Sequence, residues 1–290
     1  MATLEHDRAG AAPWLLSGPA LLLFGGLLLV PLVLTLVLSF HAFSDSQGTL
    51  AAYTLSNYLR VVTDPYYGAI FARTAGLAFA VTALCIVLGV PETIVLARMK
   101  RPWQSVCLLI VLGPLLISVV VRTLGWQILL GNNGVLNNAL QALHLTSEPI
   151  RLVFTMTGVV TALTHVLVPF MVMSVWATLQ KLDPQVEWAG LSLGGSPLRV
   201  FRRVVLPQIL PGVLSGSIIV FALSASAFAT PALIGGRRLK VVATAAYDEF
   251  LGTLNWPLGA TIAVLLLIAN VAIVMGCSRL AERRFKHIFD

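Results

Sequence analysis

At 290 residues, with 58% hydrophobic and only 11% charged side chains, the chain holds more apolar surface than one water-soluble core can hide. Soluble domains carry about 25% charged residues. A net charge of +7 would fit a nucleic-acid binder, but the Lys and Arg residues flank apolar runs instead of forming one basic face. The composition is that of a polytopic membrane protein.

Six runs reach the roughly 20 residues that one crossing needs. Five of them, 9–40, 102–121, 152–180, 204–236 and 250–278, contain no Asp, Glu, Lys or Arg, and the sixth, 74–97, contains only Glu92. The expectation is an all-α protein with six transmembrane helices in one domain over 1–290. The first run greatly exceeds a signal-peptide core and has no A-x-A site after it, so it reads as a retained helix. With the N-terminus inside, Arg8, Arg98, Lys100, Arg101, Lys181, Arg199, Arg202, Arg203, Arg279, Arg283, Arg284 and Lys286 face the cytoplasm. That is twelve basic residues inside against seven outside, which places both termini in the cytoplasm. Cys85, Cys107 and Cys277 lie in or beside apolar runs without metal-ligand spacing and read as packing residues.

In chain order, residues 1–12 form a short polar arm, Trp14 marks an interfacial anchor, and the first helix carries Pro19 and Pro31. The outer loop 41–73 holds SNYLRVVTDPYY, a short amphipathic helix followed by a turn at Asp64-Pro65. The RMKRP tether at 98–102 makes the second and third helices antiparallel neighbours. In the second outer loop, Gly131 to Gly134 reads as a turn between two short helices. The run 204–236 exceeds one crossing, so Pro207, Pro211, Pro231 and Gly235-Gly236 imply bent or broken ends.

The chain is organised around LDPQVEWAGLSLGGSPLRVFRRVVLPQILPGVLSG, residues 182–216, where a basic polar segment separates two apolar runs. Asp183-Pro184 suits an N-cap and first helical position. Gly194-Gly195 and Ser196-Pro197 break the helix into a turn, and Arg199, Arg202 and Arg203 follow. Such a helix–turn–helix suits a groove on another protein; an ordinary basic loop is the alternative.

This stretch resembles the cytoplasmic loop of the membrane subunits of binding-protein-dependent ABC importers. Their pattern is Glu-Ala-Ala, three residues, Gly, nine residues, then Ile-x-Leu-Pro. With Gly194 as the motif glycine, Leu206-Pro207 completes it. Trp188 stands at the glutamate's place, Ala189 fits, Gly190 replaces the second alanine, and Glu187 lies one residue early. SNYLRVVTDPYY, VVRTLGWQILLGNNGVLN, ATPALIGG and NWPLGA are similar to the spermidine/putrescine branch. The resemblance implies the type I importer permease fold in a bacterial inner membrane. It also implies alternating access, an extracytoplasmic binding protein, a second permease of similar fold and two ATPase subunits. Residues 182–207, including Ser196, would dock on the ATPase. No G-x-x-x-x-G-K-[ST] occurs, so ATP and Mg belong to that partner and this chain is not expected to be an enzyme or to hold a cofactor or metal. A related solute, such as an amino acid derivative, is the alternative cargo.

For a substrate route, Ser217, Phe221, Ser224 and Phe228 fall at helical spacing on the fifth span. Two readings of this face stay open, helix packing and a cavity wall. Gly212 and Gly216 form a GxxxG that reads as close packing. His165 is either a satisfied core histidine or a pathway residue, and Glu92, after Pro91 and close to Arg98, reads as snorkelling or ion-paired. Asp248, with Glu249, is a solvated pair or a cation-attracting mouth. Two rivals to the permease subunit are a self-sufficient carrier, which would need repeats with interrupted helices, and an intramembrane hydrolase using Ser215 and His165.

Overall fold

The computed structural model describes residues 12–289, and side chains over that range except 12–16, 184 and 280–289. Most of the 1–12 arm, Arg8, and the side chains of Trp14, Arg283, Arg284 and Lys286 lie outside the described residues. The chain divides into two compact units, 65–245 with 266–290, and 1–64 with 246–265.

The larger unit is built on three long helices, α3 (Pro65–Arg98), α7 (Met156–Leu179) and α10 (Leu206–Ala225). Leu77, Val81 and Cys85 of α3, Val159, Leu163 and Met171 of α7, and Ile209, Val213 and Val220 of α10 bury one apolar core. Small residues let α7 and α10 touch. A Cβ on Gly212 would overlap Thr178 Oγ1 and come within 2.9 Å of the Ser174 carbonyl oxygen, and one on Gly216 would lie 2.8 Å from Met171 Sδ. Ser174 Oγ donates across this seam to Gly212 O at 2.9 Å. The packing reading of GxxxG is therefore the observed one.

The expected third crossing is not straight. α4 (Arg101–Leu112) runs into a 3₁₀ turn at Gly113–Leu116 that contains Pro114. Ile117 and Ser118 are extended, and the chain turns by 100° into α5 (Val119–Leu130) and α6 (Val135–Ala142). Pro114 cannot donate to the helical ladder, and at the elbow Arg122 Nη2 donates to the Ile117 carbonyl at 3.3 Å. Among the described residues, five helices are long and apolar enough to cross a membrane, or six if this bent pair counts as one span.

The turn expected at 131–134 is present, and it is held by a residue that sequence reasoning passed over. Asn137 is fully buried and donates to the carbonyls of Gly131 and Ile150, at 2.9 and 3.0 Å, while accepting from Ile150 N at 2.8 Å.

The fifth run begins earlier than its apolar stretch, at α9 (Pro197–Val200), and stays helical to Ala225 through a wide π turn at Phe201–Val205. That turn directly precedes Pro207, which lacks an N–H for the ladder. Just beyond it, Gln208 Nε2 donates to Val204 O at 3.0 Å. Beyond Ala225 the helix ends, and Pro231–Gly235 forms a second π turn closed by Gly236 at φ +59. Pro207 and Pro211 thus sit within a continuous helix, whereas the Pro231 end is broken as expected.

The smaller unit contains α1 (Ala12–Ser39), whose Leu22 and Leu27 are 80% and 70% exposed, as suits a lipid- or partner-facing span. Strands β1 (His41–Ser44) and β2 (Gly48–Tyr53) form an unforeseen antiparallel hairpin, with Gly48 at φ +74. Helix α2 (Ser56–Thr63) then matches the expected short helix, and Pro65 opens the next element. Asn57 Nδ2 donates to Ser39 O and His41 O, and Thr261 Oγ1 of α12 (Trp256–Phe289) donates to Ser39 O at 3.0 Å.

Candidate functional sites: the 182–207 loop and a transmembrane cavity

Asp183 caps helix α8 (Pro184–Ser192), accepting from Gln185 N at 2.9 Å, with Pro184 at the first helical position. The helix ends, and Gly194 turns the chain at φ +80 with no atom near the position of a Cβ. Its requirement is conformational. Its neighbours have a different one. A Cβ on Gly195 would lie 2.7 Å from Gly190 O and 2.9 Å from Val200, and one on Gly190 would press on Val200 at 3.3 Å. Gly190 and Gly195 therefore let α8 close onto α9, a role that spacing alone did not reveal.

The closed loop presents apolar side chains outward. Trp188, Leu193 and Leu198 are 72%, 90% and 67% exposed. An exposed apolar loop of this kind is open to a partner or a membrane surface. Ala189 is exposed beside it. Arg199, Arg202 and Arg203 form a second face with Ser196, and they have no ion-pair partner among the described residues. Glu187 behaves differently, accepting from Arg98 Nη2 at 2.8 Å and tying the loop to the end of α3. Both side chains are partly solvated, so the tie adds no more than about 1 kcal/mol. Arg98, which the sequence placed near Glu92, is thus engaged elsewhere. Leu206 and Pro207 begin α10, passing the loop directly into the core.

A cavity of about 580 Å³ opens among α3, α4, α5 and α7. Leu84, Leu88, Ile110, Val111 and Val168 give it an apolar lining, and Glu92 stands on its wall. Trp126, Thr161, Thr164 and His165 also line it. Trp126 Nε1–H donates to His165 Nδ1 at 3.1 Å, and the rings meet edge to face at 5.4 Å. Because indole N–H can only donate, Nδ1 carries a lone pair and the neutral ring's proton is on Nε2. His165 is therefore a satisfied histidine that also lines the cavity, and its partner is an indole.

The proposed α10 face is divided. Phe221 is buried against Ala78 and Ala225, with its ring 4.9 Å from Phe79. Ser224 is buried, and its hydroxyl has no partner among the described residues. Ser217 donates to Val213 O on its own helix. Phe228 lies beyond the end of α10 at Ala225, so it does not continue the face. None of the four lines the His165 cavity. Asp248 begins a π turn, Asp248–Gly252, in the smaller unit, where Glu249 accepts from Thr253 Oγ1. Ser215 Oγ donates to Pro211 O and His165 Nδ1 accepts from Trp126, so the two are not joined as a nucleophile and base.

Long apolar helices, a three-helix core and a loop continuous with it are the architecture of a multi-pass membrane protein. The chain belongs to the binding-protein-dependent transport system inner membrane component family, which it matches over residues 30–287. It is 30% identical over 261 residues to the spermidine/putrescine transport system permease protein PotB of Escherichia coli (strain K12), covering 90% of this chain and 93% of that one. It is 32% identical over 215 residues to the molybdenum transport system permease protein ModB of Mycobacterium bovis (strain ATCC BAA-935 / AF2122/97), covering 74% and 80%. Its fold matches a chain of the bacterial alginate ABC transporter in complex with alginate pentasaccharide-bound periplasmic protein. There the TM-score is 0.77 at 15% identity, covering 95% and 96%.

Proposed function

We propose that this permease subunit imports a polyamine of the spermidine/putrescine class. Similarity to the spermidine/putrescine permease along nine-tenths of the chain carries the reading. In this reading the 182–207 loop docks on one of two cytoplasmic ATPase subunits, which bind ATP and Mg. A second permease completes the path, an extracytoplasmic binding protein delivers the cargo, and both termini of this chain are cytoplasmic. ATP drives import only by favouring one of two arrangements of the helices, and a rigid loop–α10 connection transmits that choice. The α10 face joins the route when α10 parts from α3, exposing Phe221 and the unpaired Ser224 hydroxyl. Asp248 would then draw cations to the outer mouth.

The test is uptake by the purified four-component complex in liposomes. Radiolabelled spermidine or putrescine should accumulate in an ATP-dependent manner and resist competition by molybdate and neutral amino acids. Accumulation of one of those solutes without either polyamine would overturn the reading.

Arg199, Arg202 and Arg203 are free to meet acids on the ATPase or the anionic leaflet, each worth about 1 kcal/mol near the surface. Changing all three to Gln should weaken ATPase co-purification about tenfold or more at low salt, and the difference should shrink as salt rises. Equal recovery at both salt concentrations would reduce them to topology signals.

A further inference from the structure

The cavity beside α3 and α7 has a charge layout that the family's general scheme does not require. Glu92 is a carboxylate within a membrane-spanning helix, and it has no hydrogen bond or ion pair among the described residues. Such a group is costly in a bilayer unless it faces water, protein or a ligand. Leu84, Leu88 and Glu92 share one stripe of α3, so the apolar wall between Glu92 and the level of Leu84 is roughly 12 Å long at 1.5 Å per residue. Cys85 contacts the Thr164 carbonyl across the α3–α7 seam, which puts the Thr164–His165 level near the Leu84 end. Trp126, Thr161 and His165 therefore belong to the end away from Glu92. Thr161 and Thr164 give their protons to Thr157 O and Val160 O, leaving oxygen lone pairs toward the cavity.

We infer that this cavity is a membrane-embedded site for a primary aliphatic ammonium. The charged head pairs with Glu92, and the methylene chain lies along Leu84, Leu88 and Val168, pointing toward the threonine hydroxyls. A carboxylate inside low dielectric holds a cation more strongly than it would in water. The inference rests on the polyamine reading for its free ligand. An ethanolamine lipid headgroup carries the same chemistry, and we commit to the free amine.

The experiment uses the whole complex in phosphatidylcholine–phosphatidylglycerol vesicles, with and without phosphatidylethanolamine. If the unaltered complex fails to import putrescine, the functional reading fails, whatever the cavity does. If it imports putrescine, Glu92→Gln should lower saturated uptake at least fivefold, with ATPase co-purification unchanged and partial recovery in Glu92→Asp. Binding is read separately from Thr161→Cys, placed in a chain carrying Cys85→Ala, Cys107→Ser and Cys277→Ser. Putrescine should slow its modification by a maleimide at least threefold, and Glu92→Gln should remove that protection. Normal import with neither effect would overturn the site. Protection that arises from phosphatidylethanolamine and not from putrescine would overturn it equally, assigning Glu92 to a lipid headgroup.

Discussion

Gly194→Val should give a permease that inserts and folds but no longer holds its ATPase. At φ +80 the position lies in the left-handed region, where an L side chain is disfavoured by about 1–2 kcal/mol and a β-branched one by more. No atom lies near the added Cβ, so the substitution acts through backbone conformation and not through a clash. The chain relieves the strain by rotating the turn. That rotation pulls α9 away from α8 and scatters Trp188, Leu193 and Leu198. We expect ATPase co-purification and uptake to fall at least tenfold while the purified subunit keeps its melting temperature. Gly194→Asn is the control, because asparagine tolerates this region and should retain most of the activity. Equal loss in both variants, or full activity in Gly194→Val, would contradict this account of the loop.

Gly212→Val should fail earlier, at folding. There the added side chain meets Thr178 Oγ1 and the Ser174 backbone, and a backbone atom cannot rotate away as a flexible side chain can. Overpacking of a close seam is destabilising by about 1–3 kcal/mol, and the Ser174–Gly212 hydrogen bond is lost with it. The expected result is a fall in detergent-solubilised monodisperse protein, with a melting temperature lowered by several degrees in whatever survives. Thr178→Gly, which removes the obstructing hydroxyl, should rescue part of the loss. A Gly212→Val protein of normal yield and thermal stability would mean that α7 and α10 are not in close contact.

These two glycines show how unevenly the chain could be read. The break at Gly194-Gly195, the cap at Asp183-Pro184 and the small-residue seam at Gly212 and Gly216 were legible because each follows from local backbone chemistry. Glycine permits a left-handed turn, aspartate accepts a free N–H, and proline starts a helix. The elbow at Ile117-Ser118 was not legible. Its residues are as apolar as any span, and hydropathy reports transfer into lipid without reporting direction. Asn137 escaped for a related reason, since its value lies in Gly131 and Ile150, six and thirteen residues away. Phe228 was assigned to a helical face by extending a period past the point where the helix ends.

Composition and period were enough to read a multi-pass helical membrane protein, roughly where its helices lie, and a basic break at 182–207 between two apolar runs. Those properties are set by composition, by period and by residues whose backbone demands are local. Only the tertiary structure decided which side chains share a space. It placed Glu92 and His165 in the lining of one cavity, joined His165 to Trp126, gave Arg98 to Glu187, and turned Phe221 and Ser224 into the packing between helices. The physical reason is that a helix offers side chains in every direction at the same apolar cost. The face that meets water, lipid, substrate or another helix is chosen by the elements packed around it.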